Sequence, residues 1–229
     1  MFIGHYAVAF GTKKAAPAVS LGTLILAAEF LDILWPVFLL LGIEHAQIVQ
    51  SVNPFFRLNF YDYPISHSLV TSIGWSVAVG GIYYAVRKNR RGALFVGIAV
   101  FSHWLLDFIS HRPDLPILPG VPALVGLGLW NSEAGTIIVE TLMFVAGIIF
   151  YLRATSTVDR IGVYGFWGLI AFLVAANIAN ITSPPPPGIQ QVAYAALSQF
   201  LLIAWGYWID RHRRGRADKP ALSVASGKH

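Results

Sequence analysis

The sequence has no cysteine among its 229 residues, and charged residues make up only 12% of it. The absence of cysteine excludes disulfide bonds and thiolate metal sites. Soluble domains average about 25% charged residues, so this chain has about half the charge that a water-facing surface of its size needs. Because 56% of the residues are hydrophobic and several apolar runs reach helix length, we predict an all-α, polytopic membrane protein.

The apolar runs predict a bundle of about six transmembrane helices, each near the roughly 20 residues that cross a bilayer. The segment 2–11 is apolar but too short to cross, and we expect a short N-terminal helix there that is either interfacial or re-entrant. No cleavable signal peptide is expected. We expect one membrane-embedded domain over residues 1–214 and a disordered cytoplasmic tail over 215–229. The predicted spans are Val19–Ile43, Ser66–Val86, Gly92–Ser110, Ala134–Leu152, Ile161–Ile181 and Ile189–Ile209.

The net charge of +5 comes from basic residues that cluster beside the predicted spans. With six spans, all the clusters fall on one side of the membrane, which the positive-inside rule assigns to the cytoplasm. We therefore expect cytoplasmic N- and C-termini. The clusters are short and lack interleaved aromatic residues, which argues against nucleic-acid binding. They lie at 13–14, 87–91, 153–160 and 211–216.

A row of ionisable residues lies in the third predicted span, where His103, Asp107 and His111 are four residues apart. On a helix this spacing places them on one face. Lipid does not tolerate such a row, so we expect it to face a metal, a proton path or a buried hydrogen-bond network. His103 and Asp107 can share one metal. His111 lies about 12 Å along the axis from His103, so it is expected to serve a second metal or a substrate group.

Three other spans carry ionisable residues at a similar predicted depth. Glu29 and Asp32 lie near the middle of the first span, His67 opens the second, and Glu140 lies about two turns inside the fourth. Imidazole nitrogens and carboxylate oxygens are the ligands of zinc, manganese and non-haem iron. Burying so many ionisable groups is costly, and metal coordination offsets that cost. The convergence of four spans therefore favours a metal site.

Each group also has a simpler interpretation. His103 and Asp107 could form a hydrogen-bonded pair that joins helices, and Glu29 with Asp32 could relay protons or a cation. Ser66 could cap the second span, which would leave His67 as an interfacial residue. These alternatives remain open from the residues alone.

The order of these residues resembles a known family. A His followed by a Gly, an acidic pair, a His-Ser dipeptide and a His-x-x-x-Asp occur here as His5 with Gly11, Glu29 with Asp32, His67–Ser68, and His103 with Asp107. This order is similar to that of the bacterial inner-membrane metal-dependent hydrolases, some of which are described as LexA-binding. The resemblance covers about residues 1–153. Many members have His-Arg-Gly before the His-Ser dipeptide, where this chain has Asp62–Tyr63–Pro64.

The resemblance implies a multi-pass, metal-dependent hydrolase of the bacterial inner membrane. The expected substrate is an ester or phosphoester of a lipid or envelope molecule at the outer side, and the preferred ion is zinc. The expected base is Glu29 or Glu140, and the expected substrate contacts are His111 and Arg112. The expected metal ligands are His5, Asp32, His67, His103 and Asp107.

Two other functions use the same residues. A proton- or cation-conducting transporter or channel would relay its ion along the buried carboxylates and histidines. Apolar residues in the inner halves of spans two to four instead favour a pocket that is closed on the cytoplasmic side. The remaining alternative is a structural or binding protein with a relic site. A homo-oligomer is compatible with all three.

Overall fold

This computed structural model describes residues 1–216 of the chain. These residues form ten α-helices, and the protein is 69% helical. The helices are α1 (Ile3–Ala15), α2 (Leu21–Ala28), α3 (Phe30–Leu40), α4 (Pro64–His67), α5 (Leu69–Arg87), α6 (Arg90–Ser110), α7 (Glu133–Ala154), α8 (Arg160–Thr182), α9 (Ile189–Leu197) and α10 (Gln199–Arg211). Single turns of 3₁₀-helix lie at Pro54–Phe56 and Leu129–Asn131.

Five helical segments are long and apolar enough to cross a membrane: α5, α6, α7, α8, and the segment Ile189–Arg211 that contains α9 and α10. The bent pair α2 and α3 makes a sixth if it counts as one span. The prediction of about six apolar helices in an all-α bundle is confirmed at this level. The bounds of α5 to α8 lie within three residues of the predicted spans, because hydrophobic length and end caps are both visible in the sequence.

Five of the helices have a side-chain cap at their N-terminus. In each case the side-chain oxygen of the cap residue accepts a hydrogen bond from the backbone N–H three residues later, which satisfies a donor that the first turn leaves unpaired. The caps are Ser20, Ser68, Asn89, Ser132 and Asp159.

The first predicted span, 19–43, is not one continuous helix. It breaks at Glu29 into α2 and α3, whose axes differ by 56°. The N–H of Glu29 still bonds to the carbonyl of Ile25, but the carbonyl of Ala28 accepts from a side chain of α6 instead of continuing the helix. Hydrophobic periodicity does not report such a tertiary bond, so the sequence predicted an unbroken span.

Helix α1 is buried inside the bundle, which supports the re-entrant alternative for the N-terminal segment rather than the interfacial one. Most of its side chains are enclosed, and its largest contact is with α7. Gly147 of α7 permits this close approach, because a Cβ there would lie 2.5 Å from the carbonyl oxygen of Ala7. At 13 residues, α1 is about 20 Å long, and it runs from Met1 beside Asp107 to Lys13 beside Asp210.

Three short antiparallel ribbons close the ends of the bundle. They pair β1 (His45–Ile48) with β2 (Leu58–Asp62), β3 (Leu115–Pro116) with β4 (Leu124–Val125), and β5 (Thr155–Thr157) with β6 (Arg213–Gly215). Gly215, the first residue of the predicted tail, pairs with Thr155 in the last ribbon. The rest of that predicted tail, from residue 217 on, lies outside the described residues.

The predicted basic clusters meet at one end of the bundle, which we call the basic end. Lys13 forms an ion pair with Asp210, and Arg91 donates to the carbonyl of Ala15. Arg213 of β6 bonds to Thr155 of β5. Met1, at the start of α1, lies near the opposite end, which also holds the ionisable residues of α6. Met1 and the strand β6 therefore lie at different ends of the bundle, which does not fit the expectation that both termini are on the cytoplasmic side.

Candidate metal centre

Four side chains from three helices point their ligand atoms at one buried spot. His103 and Asp107 come from α6, Asp32 from the first turn of α3, and His67 from the end of α4. His103 Nε2 lies 3.2 Å from Asp107 Oδ2 and 3.6 Å from Asp32 Oδ1. His67 Nε2 lies 3.4 Å from Asp32 Oδ1 and 3.7 Å from Asp107 Oδ2.

These separations are those of ligands around one small cation. Zinc binds imidazole nitrogen and carboxylate oxygen at about 2.0–2.2 Å, so two ligands of a tetrahedral ion lie about 3.4 Å apart. The four measured separations bracket that value. Two overlapping triads, His67–His103–Asp107 and His5–Asp32–His103, each have ligand atoms within 4.8 Å of one another. Either triad could hold a metal ion.

The break between α2 and α3 orients His103. The carbonyl of Ala28 ends α2 and accepts a hydrogen bond of 2.7 Å from His103 Nδ1. A protonated Nδ1 leaves Nε2 with its lone pair directed at the cluster. Nε2 is buried and has no hydrogen-bond partner among residues 1–216. The simpler interpretation, a His103–Asp107 pair that joins helices, does not explain this geometry, because the bond between helices is made by Nδ1.

A chain of hydrogen bonds orients His67 in the same way. His67 Nδ1 lies 2.7 Å from Ser66 Oγ, whose hydroxyl donates to Glu44 Oε2 at 2.6 Å. Glu44 is fully buried, and its Oε1 accepts from the backbone N–H groups of Ile65 and Ser66 at 2.7 Å each. The alternative in which Ser66 caps a helix is wrong. Ser68 caps α5, and Ser66 connects His67 to Glu44.

His5 joins the cluster from α1. Its ring is parallel to that of His103, with 3.7 Å between the ring centroids, and its Nε2 lies 3.2 Å from Asp107 Oδ1. The two nitrogens of His5 are buried and have no hydrogen-bond partner in the described part of the chain. The amino group of Met1 donates to the same oxygen of Asp107 at 2.9 Å.

His111 lies at the edge of the cluster. Its Nδ1 bonds to Asp114 Oδ1 at 2.9 Å, and its Nε2 is 3.9 Å from Asp107 Oδ1. Its ring packs on Trp130, with 4.1 Å between the ring centroids. The neighbouring Arg112 is held by Asp114 and by Asn59, which accept from it at 3.2 and 2.6 Å. Arg112 is not among the described residues that line the cavity beside the cluster.

The two glutamates predicted as candidate bases have different surroundings. Glu140 Oε2 accepts from the backbone N–H groups of Phe2 and Gly4 at 3.0 and 3.3 Å, so Glu140 caps α1. Glu140 also lines the cavity. Glu29 is buried at the break between α2 and α3, and its Oε1 has no hydrogen-bond partner among residues 1–216.

A cavity of about 190 Å³ lies against the cluster. Asp32 is the exposed member of the site, with 36% of its side chain accessible, and forms part of the cavity wall together with Asp107, His67 and His111. Aromatic rings make up much of the remaining wall. Polar side chains of α8 and α10 also face the cavity, namely Asn177, Asn180 and Gln199.

The structure brings together all five predicted metal ligands, and it adds three anchoring residues that the sequence did not reveal. Ser66 Oγ accepts from His67 and donates to Glu44, so Glu44 acts on His67 through that hydroxyl. Asp114 accepts directly from His111. The sequence indicates these roles only through proximity, since Ser66 precedes His67 and Asp114 lies three residues after His111. Comparison of the chain with family models, with curated proteins and with solved structures found no match.

Proposed function

We propose that this protein is a metal-dependent hydrolase whose active centre is embedded in the membrane bundle. One observation carries the proposal, namely the convergence of His67 Nε2, His103 Nε2, Asp32 Oδ1 and Asp107 Oδ2 at separations of 3.2–3.7 Å. Each of the two histidines is oriented by an oxygen on its other ring nitrogen, as metal-bound imidazoles usually are.

The donor set supports zinc as the ion. Two imidazole nitrogens and two carboxylate oxygens, with no sulfur, suit zinc, manganese or non-haem iron. Zinc needs no redox partner, so it is the ion we propose. His5 is placed to bind the same ion or a neighbouring one, because it belongs to the triad that shares Asp32 and His103.

The residues around the site suggest how hydrolysis would proceed. A zinc ion held by these residues would supply a water whose pKa is lowered toward neutrality. Asp32 is open to the cavity, so that water has room beside it. We assign the role of general base to Glu140, because it lines the cavity whereas Glu29 is enclosed at the helix break. His111 is the residue placed to contact the substrate, and Arg112 positions it through Asp114.

The proposed substrate is an ester or phosphoester of a lipid or envelope molecule. The aromatic cavity wall suits an amphiphilic molecule, and the site lies at the end of the bundle away from the basic clusters. The positive-inside rule would then orient the cavity toward the outer side of a bacterial inner membrane.

A conducting pathway has less support. A conductor needs polar groups that continue from one side of the bundle to the other. The cavity at the metal site and a second cavity at the basic end have no lining residue in common. Buried apolar side chains, among them Leu24 and Val100, belong to the core cluster of the bundle.

Metal analysis tests the proposal first. The protein, purified in detergent without a metal-affinity tag, is expected to contain zinc in near-stoichiometric amount by inductively coupled plasma mass spectrometry. The double variant His67→Ala/His103→Ala is expected to lose the metal, whereas the double variant His45→Ala/His212→Ala is expected to keep it, since these two histidines are paired with exposed or half-exposed aspartates elsewhere. A fully stable wild type without metal would refute the proposal.

Hydrolysis is tested with p-nitrophenyl butyrate and bis(p-nitrophenyl) phosphate as model ester and phosphodiester. Glu140→Gln keeps an oxygen that can accept from Phe2 and Gly4 but removes the base, so we expect a 10²–10⁴-fold loss of kcat with unchanged metal content. If turnover persists in Glu140→Gln but falls in Glu29→Gln, the base is Glu29. Metal binding without turnover of either compound, together with proton flux in liposomes that Asp107→Asn abolishes, would favour the conductor.

A further inference from the structure

A larger cavity, of about 680 Å³, lies at the basic end of the bundle, away from the metal centre. It is bounded by α2, α5, α6, α10 and the strand β6. It arises because α5 packs mainly on α6 and α4, whereas α2 packs on α1, α6 and α10. Its volume is within the range of about 300–1,000 Å³ typical of ligand pockets.

One wall of this cavity is apolar and opens to the outer surface of the bundle. Val79, Ile82 and Val86 of α5 contribute to it, opposite Leu26 of α2. Ile82 is 64% exposed and Val86 72% exposed, so the cavity is continuous with the outer surface of a membrane-spanning helix. In a bilayer this wall contacts hydrocarbon, and an acyl chain could enter along it.

The floor of the cavity is charged but mostly paired. Lys13 Nζ donates to the carbonyl of Val19 at 2.6 Å and lies 3.4 Å from Asp210 Oδ1. Asp210 Oδ2 also accepts from the N–H of Leu21. Arg213 donates to Thr155 Oγ1 and to the carbonyl of Gly162. These groups hold the bundle together and are not available to a ligand.

Two further arginines line the cavity, and their side chains are not paired with other described residues. The side chains of Arg87, in the last turn of α5, and Arg214, in β6, are exposed and form no hydrogen bond or ion pair with residues 1–216. The cavity is lined by four cationic side chains and one carboxylate, a net charge of +3. Hydroxyl groups also line the cavity, where Thr23 Oγ1 lies 2.9 Å from the Tyr207 hydroxyl and 2.7 Å from Ser20 Oγ.

We propose that this cavity binds one anionic phospholipid. Arg87 and Arg214 would hold the phosphate, the hydroxyl groups of Thr23 and Tyr207 would bond to the glycerol or ester oxygens, and an acyl chain would lie along α5. The apolar wall suits the acyl chain of any lipid, and the net positive charge of the lining favours an anionic headgroup over a neutral one. Basic pockets between helices near the cytoplasmic leaflet are a known mode of anionic lipid recognition.

Lipid binding is tested by native mass spectrometry of the full chain released from detergent micelles. The lipids are phosphatidylglycerol and phosphatidylcholine with identical acyl chains, and inorganic phosphate is the third ligand. We expect one tightly retained phosphatidylglycerol, weaker retention of phosphatidylcholine and no retained phosphate. Arg87→Gln/Arg214→Gln is expected to weaken phosphatidylglycerol binding about 30-fold, since each basic residue near a membrane surface contributes a factor of about five.

Two further variants separate the site from general charge. Arg153→Gln/Arg211→Gln removes the same charge from exposed positions outside the cavity, and we expect unchanged retention. Ala18→Trp keeps every charge but fills the cavity at an exposed lining position, and we expect retention to be lost. Equal retention of the two lipids, phosphate binding as tight as the lipid, or equal losses in the two double arginine variants would overturn the proposal.

Discussion

Both ends of this bundle bury ionisable side chains, but the hydrogen bonding of those side chains differs between the two ends. Among residues 1–216, the two buried cations of the basic end, Lys13 and Arg213, are both hydrogen-bonded. Arg213, for example, donates to Thr155 at 2.9 Å and to Gly162 at 3.0 Å. At the candidate metal centre, His5 and His103 present buried Nε2 atoms that have no hydrogen-bond partner among the described residues. The buried cations at the basic end are therefore satisfied by the protein, although the Tyr151 hydroxyl beside Arg213 has no partner among residues 1–216, whereas the ligand atoms at the other end converge on a common spot.

Aromatic packing strengthens the contrast. The guanidinium of Arg213 lies 5.3 Å and 5.2 Å from the ring centroids of Tyr151 and Phe166, within the range of cation–π attraction. Nearby, a hydrogen bond from His212 holds the pKa of the exposed Asp159 carboxyl below its usual range. Buried polar atoms are nearly always bonded in native proteins, so unbonded atoms that point at each other are a sign of a ligand site. The burial of a charge alone is not.

The largest expected effect is the loss of Arg213. Arg213→Met leaves Thr155 Oγ1 and the Gly162 carbonyl without this donor and removes two cation–π contacts, so we expect a destabilisation of about 3 kcal/mol. The measurement is unfolding in mixed micelles, with and without a chelator. The metal content should stay that of wild type. A loss of metal in Arg213→Met would show that the two ends are not independent.

Chelation is expected to act at the opposite end only. A metal present at 100 times its dissociation constant stabilises the folded state by about 2.7 kcal/mol, and dialysis against a strong chelator should remove that amount from wild type. His103→Ala should unfold at the same denaturant concentration with and without the chelator. If chelation destabilises His103→Ala as much as wild type, the ion is bound elsewhere and the comparison of the two ends fails.

The smallest and sharpest effect distinguishes two neighbouring serines. Ser66→Ala removes the oxygen that orients His67, and we expect metal affinity to fall 10–100-fold with little change in helix content. Ser68→Ala removes the cap of α5, and we expect a loss of about 1 kcal/mol in stability with unchanged metal affinity. Competition titration with a zinc-binding dye measures the first effect, and micelle unfolding measures the second. Identical behaviour of the two variants would contradict the hydrogen-bond chain.

The spans and the row of site residues on α6 could be predicted because hydrophobic length and four-residue spacing are local properties. His103 and Asp107 share a helix face by geometry alone, and their predicted neighbours Asp32 and His67 do approach them. The bend at Glu29 could not be predicted, since its cause is a bond from a helix more than 70 residues away.

The residues that orient the histidines were missed for a related reason. Glu44 lies in a loop after α3, where the sequence indicates a solvent-exposed carboxylate. In the structure it is fully buried and accepts a hydrogen bond from Ser66. The role of Glu140 as the cap of α1 also depends on where a separate helix starts in space. Spacing within one element predicts which side chains share a face, but it cannot predict which backbone groups another element brings to them.

One peptide unit connects the two halves of the molecule. Ala27 lines the large basic cavity, and the next residue, Ala28, offers its carbonyl to His103. A ligand in that cavity would contact Ala27, which is next to the carbonyl of Ala28 that orients the His103 ring. If the cavity binds a lipid as proposed, a movement of α2 there would also move the Ala28 carbonyl that His103 Nδ1 bonds to, and lipid binding would then be coupled to the orientation of His103.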